Sequence, residues 1–408
     1  MANQNINELQ ARLVDELNKK NLIKTKEVEN ALLTVPRHLF LPGVDLEKVY
    51  SNTAIPTKWD DKVPISSSSE PAVYAIMLEQ LQIKEGMKIL EIGAGTGFNA
   101  ALMAQITGKS GHVITIDIDE DITNSARRNL DSAGYENVTV ICKDGATGYE
   151  EEAPYDRIII TAGVWEINPE WFNQLKPGGI LLVPMVISIH DQATFAFKRV
   201  DDHLESISIS GCKFMEFRGE YTRPIKQASI GKSGIIMLRS KDIPPINKEK
   251  YFSSFNNPRR DISTGIKASY SEYVTSFLPW LEVVEPQFCI LNSAVEEKIN
   301  YLPAPFKYRE KTFPLFFGIL HKENVALVNC IEDTGEPDQE TFTFYVSSYI
   351  SDDGLANQLI ERITEWDNAG RPDIKNAIVK VYFDKSNVVP AKGEYMITKK
   401  WVELLFSW

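Results

Sequence analysis

The feature that most constrains this chain is an apolar strand running straight into a glycine-rich turn: Lys88-Ile89-Leu90-Glu91-Ile92, then Gly93-Ala94-Gly95-Thr96-Gly97-Phe98, then the helical pattern Asn99–Ile106. Glycines between a strand and a helix sit at the carboxyl edge of a parallel sheet, where open α/β sheets bind their ligands. The flanking residues extend the pattern. A helix with apolar positions Val73, Ile76, Met77, Leu78 and Leu81 comes before it. Strand His112–Ile116, helix Asp119–Ala133 and strands Val138–Ile141, Arg157–Ile160 and Ile180–Val183 come after. Such alternation predicts a doubly wound, Rossmann-like α/β domain with a largely parallel sheet.

The spacing of the glycines selects among ligands. A dinucleotide fingerprint needs a small residue at position 98, where this chain has Phe98, and no phosphate-loop G-K-[ST] follows. A G-x-G-x-G turn suits a small zwitterion without a pyrophosphate, and S-adenosylmethionine is the candidate. The second strand ends at Ile116-Asp117, 20 residues after Gly97, where a carboxylate can accept both ribose hydroxyls. Lys143-Asp144-Gly145 follows the third strand, at the expected adenine edge. The candidate cofactor residues are therefore Glu91, Gly93, Gly95, Gly97, Asp117, Asp144 and Gly145.

With 408 residues the chain exceeds one ordinary core, so more than one domain is expected. Two amphipathic helices open it, and past Pro184 the pattern turns antiparallel, with strands Thr194–Arg199 and Ser206–Phe217. A junction near Tyr221–Gln227 divides the chain into a methyltransferase-type domain, residues 1–225, and an α+β domain, residues 226–408. The second domain carries helices Ser269–Glu282 and Gly354–Asn368, with strands at Gly234–Leu238, Leu315–Leu320, Val325–Ile331, Phe342–Ser347 and Ala377–Phe383. A formal net charge of −12 repels phosphate backbones and anionic lipid, which argues against nucleic acid and membrane surfaces. No run of about 18 apolar residues is present. The four cysteines form no C-x-x-C pair, so no metal site is expected and a reducing, cytoplasmic setting fits.

Over the first 220 residues or so, the sequence resembles the protein-L-isoaspartate O-methyltransferases. The resemblance is carried in order by Val35-Pro36-Arg37-His38-Leu39-Phe40, Ala54-Ile55-Pro56, Ser69-Glu70-Pro71, Leu90 to Gly97, Asp144-Gly145, Ala153-Pro154-Tyr155-Asp156 and Gln174 to Gly179. It implies methyl transfer from S-adenosylmethionine to a peptide side-chain carboxylate. The family's T-I-S-Q-P segment falls on Ser67 to Pro71, which makes Ser69 and Ser67 the candidate catalytic residues. Two departures stand out: a longer, glycine-free approach at Thr57–Ser66, and the region 226–408. Extended relatives of this shape are associated with ribosomally made, modified peptides, in which a methylated aspartate closes to a succinimide and opens to isoaspartate. That reading predicts a dedicated peptide partner recognised by the C-terminal region. It also predicts that truncation near Gln227 spares cofactor binding. The alternative is repair of isoaspartyl residues in damaged proteins. An alternative of another class is a non-catalytic protein that binds S-adenosylmethionine or a peptide.

An aspartyl or isoaspartyl carboxylate, with a pKa near about 4, is already ionised at neutral pH, so no general base is required. His38 is expected to be structural. Arg37 can either bind a carboxylate or pair with local acids. Trp59, Asp60 and Asp61 form either a peptide contact or a solvated loop tip. Arg223, Arg259, Arg260 and the edge of Thr341–Ser347 are further candidates for holding an acidic or extended peptide.

Overall fold

The computed structural model describes residues 2–187, 192–219, 227–230, 236–240, 257–293, 302–303, 306–308, 311–322, 324–332, 341–349, 353–385 and 388–408. The chain opens with helices α1 (Ala2–Lys19), α2 (Lys26–Thr34) and the short α3 (Leu46–Val49). A two-stranded hairpin follows, β1 (Ile55–Asp60) and β2 (Val63–Ser68), and then α4 (Pro71–Leu81). The alternating region comprises β3 (Lys88–Ile92), α5 (Phe98–Thr107), β4 (His112–Asp117), α6 (Glu120–Ala133), β5 (Val138–Cys142), β6 (Tyr155–Ile160), α7 (Pro169–Asn173) and β7 (Leu175–Val186). Antiparallel strands β8 (Gln192–Val200) and β9 (His203–Gly211) close the first half; β9 stops at Gly211, short of the expected Phe217.

Burial explains the local choices. β3 is buried along almost its whole length, as a parallel strand covered on both faces must be. α5 is apolar nearly all round and lies inside the protein. α6 buries one stripe, Ile122, Thr123, Ala126 and Leu130, and it ends where Gly134 turns left-handed and the Tyr135 N–H bonds the Leu130 carbonyl at 3.1 Å.

The second half contributes β10 (Gln227–Ile230), β11 (Ile236–Ser240) and β12 (Arg260–Ser269). A helical stretch runs from α8 (Tyr270–Glu272) through a π turn at Tyr273–Phe277 into α9 (Leu278–Val284). Then come β13 (Phe288–Ser293), a small hairpin of β14 (Phe306–Tyr308) and β15 (Lys311–Phe313), and strands β16 (Leu315–His321), β17 (Asn324–Glu332) and β18 (Thr341–Ser348). Helix α10 (Gly354–Asn368) leads to β19 (Ile378–Tyr382), β20 (Tyr395–Thr398) and β21 (Glu403–Ser407). The antiparallel sheet β10-β11-β13-β16-β17-β18-β12 carries α10 across one face, where Phe277, Phe344 and Trp366 stack edge to face or tilted. Of the expected strand Gly234–Leu238, residues 234–235 lie outside the described residues, and so does most of the expected junction at 221–227.

The first sheet does not end with the first half. Its order is β20-β21-β19-β9-β8-β7-β6-β3-β4-β5, because β19 pairs antiparallel with β9 (Val381 opposite Leu204). A boundary at 225/226 therefore cuts through this sheet and through one of the two cores, while the seven-stranded sheet lies wholly after it. One continuous core runs from Leu90 and Ile92 through Trp171 and Phe217 to Phe277, Phe344 and Phe406; a second, on the other face, packs α1, α2, α4 and α5. Among the described residues, no helix is long and apolar enough to cross a membrane.

Candidate active site

β3 lies between β4 and β6, so the chain reverses its direction of travel through the sheet beside β3. A cavity of about 720 Å³ opens there, at the carboxyl ends of the strands, within the usual range of about 300–1,000 Å³ for small-molecule sites. Gly93 has φ +110, and a Cβ added to it would sit 2.1 Å from Thr161 Oγ1, so only glycine lets the turn settle onto the end of β6. The Gly95 N–H donates to Asp117 Oδ2 at 3.2 Å and the Asp119 N–H to Asp117 Oδ1 at 3.3 Å. Burial raises the Asp117 carboxyl above its ordinary pKa. Asp144 Oδ1 accepts the Ala146 N–H at 2.9 Å, and the Gly145 carbonyl accepts from Trp171 Nε1 at 3.1 Å. A Cβ on Gly145 would meet Ile92 Cγ2 at 2.4 Å. Gly93, Gly95, Asp117, Asp144 and Gly145 thus border one cavity. Gly97, expected with them, instead caps α5 and packs against Leu130 and Ala126 of α6.

Glu91 also borders the cavity, yet its side chain is fully buried and both oxygens are taken. Asn99 Nδ2 donates to Oε1 at 2.7 Å and Thr115 Oγ1 to Oε2 at 2.6 Å, tying β3 to α5 and β4. Burial first, opposed by these two bonds, pushes its pKa up to about 7. A carboxyl that binds its proton more tightly in the folded state stabilises the fold less as pH rises. Its contribution is greatest below about 4.5, declines up to about 7 and is flat above. Relative to Glu91→Gln, the wild type should therefore lose on the order of 3 kcal/mol between those limits, measured by denaturant titration across pH. A pH-independent difference between the two proteins would reject the buried, shifted carboxyl.

Ser66, Ser67 and Ser68 end the second strand of a hairpin, and Ser69 follows directly after it. The prolines Pro56 and Pro64 are tolerated because this two-stranded ribbon has free edges. Ser67 and Ser69 border the cavity, whereas Ser68 is fully buried beside Arg37. The Ser69 backbone is held on both sides: its N–H donates to Tyr74 Oη at 2.9 Å and its carbonyl accepts from Arg37 Nη2 at 2.9 Å. Arg37, 2% exposed, donates from Nη1 to the carbonyls of Val49 and Ser51 and from Nη2 to that of Thr53 as well, while its buried Nε–H has no partner among the described residues. It therefore binds neither a substrate carboxylate nor local acids, but clamps the approach to the serines. The serine arm lies over the glycine turn, with a Cβ on Gly95 coming within 3.8 Å of the Ser67 carbonyl oxygen. His38 is structural, its Nδ1 sharing a hydrogen bond with Tyr50 Oη at 2.8 Å.

Two charged residues that sequence reasoning did not single out hold the rim. Lys58 Nζ bonds Asp119 at 3.0 Å and Asp121 at 2.7 Å, and Arg218 Nη2 bonds Asp119 at 2.7 Å. The hairpin and the segment after β9 are thereby fastened to the same carboxylate. Trp59, 54% exposed, and Asp60-Asp61 stand at the hairpin tip. The strand expected to offer an edge, now β18, is paired on both sides, by β17 and β12. Arg259 and Arg260 pair with Asp261 and Asp353, and Arg223 lies outside the described residues.

The donors present fit S-adenosylmethionine: a turn that only glycines can make, an acidic group after β4 whose oxygens face main-chain amides, and a second acid–glycine pair after β5. Comparison with known proteins agrees. The sequence pattern of the family Protein-L-isoaspartate(D-aspartate) O-methyltransferase (PCMT) matches residues 7–220. The protein-L-isoaspartate O-methyltransferase of Hyperthermus butylicus is 39% identical over 222 residues, 52% of this chain and 90% of that one. The enzyme of the same name from Thermotoga maritima is 38% identical over 179 residues, 43% of this chain and 56% of that one. A solved structure described as a protein-L-isoaspartate O-methyltransferase has the same fold, with a TM-score of 0.51 and 23% identity, and covers 91% of this chain and 96% of its own. The C-terminal region thus has a counterpart in that fold. The chain belongs to the protein-L-isoaspartate O-methyltransferase family and is an S-adenosylmethionine-dependent carboxyl O-methyltransferase.

Proposed function

We propose that this enzyme methylates the free carboxylate of isoaspartyl residues in proteins, the repair reaction. The observation that carries the reading is the placement of Ser67 and Ser69 on the cavity wall, with the Ser67 main chain over the glycine turn. S-adenosylmethionine, when bound, supplies a methyl group on a positively charged sulfur. Gly93, Gly95, Asp117, Asp144 and Gly145 would hold it, and Glu91 and Gly97 would keep the turn in place. An ionised acceptor needs no base, so the chain's task is orientation and exclusion of water. Ser69 is suited to this because its main chain is already fixed by Tyr74 and Arg37, which leaves the hydroxyl to hydrogen-bond one oxygen of the acceptor.

A narrower reading, methylation of an aspartate in one ribosomally made peptide, is favoured by the glycine-free hairpin β1–β2 with its exposed tip. It no longer draws on the C-terminal region, which the fold comparison shares with a protein named for isoaspartate. Methyl transfer to a panel of isoaspartyl peptides of unrelated sequence, followed by mass spectrometry, separates the two. Activity across the panel supports repair. Activity confined to one sequence, or to an ordinary aspartate, supports the dedicated peptide.

Ser69→Ala should lower kcat by about 10- to 100-fold while calorimetric affinity for S-adenosylhomocysteine stays within about threefold. Unchanged turnover would place the acceptor elsewhere.

A further inference from the structure

The hairpin β20–β21 ends in a turn that reaches back into the first half of the chain. Lys399, 5% exposed, donates from Nζ to the carbonyls of Trp165 at 2.6 Å and Val186 at 2.8 Å, with its ammonium 4.4 Å from the Trp165 ring centroid. The next two main-chain N–H groups, of Lys400 and Trp401, donate to the two carboxylate oxygens of Glu166 at 2.8 and 3.4 Å. A buried ammonium is kept only where well-placed acceptors replace its water. Here those acceptors are main-chain carbonyls 213 and 234 positions away in sequence.

What the turn grips is continuous with the cavity wall. Thr161 and Ala162 border the cavity. The next residue, Gly163, donates to the Met215 carbonyl at 2.8 Å and accepts from the Phe217 N–H at 2.9 Å. Val164 bonds the end of β7 in both directions, to Pro184 and from Val186. Met215, Phe217 and Arg218 form the facing wall, and Arg218 reaches Asp119 beside Asp117. The main chain at 165 and 186 is therefore the base on which both walls stand.

We propose that Lys399 is a positioning residue for the cofactor site, fixing the segment 161–166 and, through Gly163, the segment 215–218. The inference rests on the reading of the cavity as the S-adenosylmethionine site. It gives the C-terminal region a part in building that site.

The test uses the full chain. Lys399→Met keeps the apolar stem and removes the donors; Lys399→Arg restores them; Glu166→Ala loosens the same grip from the other side without stranding a buried charge. Calorimetric titration with S-adenosylhomocysteine is paired with amide hydrogen exchange of the ligand-free proteins. Lys399→Met should bind about tenfold more weakly, with protection lost at Gly163 and Phe217 but kept along β3 and β4, and Lys399→Arg should recover most of both. Glu166→Ala should show a smaller loss at the same amides, and the double variant should fall short of the product of the singles. Wild-type affinity and unchanged exchange in Lys399→Met overturn the proposal; should that variant not fold, unchanged exchange in Glu166→Ala overturns it. If the wild type binds no S-adenosylhomocysteine while exchange in Lys399→Met changes as described, the cofactor reading fails and the wall-fixing role stands.

Discussion

Ending the chain at Ile225 is expected to give a protein that is largely insoluble, whose soluble remainder binds S-adenosylhomocysteine at least about 100-fold more weakly than the full chain. Among the described residues before 220, α7 is the only α-helix that contributes to the core on this face of the first sheet, through Trp171 and Phe172, beside the short turn that carries Ala146. Loop residues Val164, Ile167 and Phe217 add to it, and beyond 226 come Phe277 and Leu281 together with Val381, Leu404 and Phe406 on strands that extend the sheet. Truncation strips β19 from Leu204 and divides a core shared with Phe195 and Phe197, at roughly 1.5–3 kcal/mol for each large apolar side chain returned to water. It also frees the edge of β9, a template for aggregation, and removes the bonds of Lys399 to the Trp165 and Val186 carbonyls. This reverses the expectation from sequence that such a cut would spare cofactor binding. Soluble yield, circular dichroism and calorimetric titration decide the matter. A monomeric truncated protein with full-length affinity would show that the two halves are independent after all.

Gly93→Ala should abolish measurable cofactor binding while leaving most of the fold in place. Two costs add at this position: the backbone at φ +110, worth about 1–3 kcal/mol of strain, and overlap with Thr161 Oγ1, worth about 1–3 kcal/mol more. Thr161 cannot swing aside freely, since its hydroxyl bonds the carbonyls of Ile92 and Gly93 at 3.1 and 2.9 Å. The turn must therefore lift, carrying the Gly95 N–H away from Asp117. Thr161→Ala in the same chain should restore part of the affinity by removing the overlap and not the strain. A single variant that binds S-adenosylhomocysteine as tightly as the wild type would mean that the ligand does not lie on this turn.

These expectations mark where the sequence was legible. The strand–turn–helix at Lys88–Thr107 and the acids after β4 and β5 could be read because each is a local pattern, and parallel strands in register bring their ends together. The hairpin β1–β2 could not, since serines and prolines are poor strand formers and the ribbon is held by Arg37 from outside. The V-P-R element pointed to Arg37 as important. Its partners, the carbonyls of Val49, Ser51, Thr53 and Ser69, carry no side-chain signature. The return of β19 to β9 was hidden for a similar reason: Ile378–Tyr382 reads as a strand, but nothing in five residues says which sheet it will join. Nothing in the local sequence sets Lys399 apart, because only tertiary packing buries it.

The hairpin separates two kinds of inheritance. At its base Arg37 and Tyr74 hold Ser69 by the main chain, so a one-residue slip there would hand the cavity the wrong serine. At its tip Asp61, with φ +49, and Lys62 close a two-residue loop between Asp60 and Val63, in the solvent and bonded to nothing in the core. Insertions and substitutions at Asp61 and Lys62 are expected to leave the main-chain clamp on Ser69 in place. Under the proposed function, the two-residue loop can change its contacts with acceptor proteins while Ser69 keeps its place.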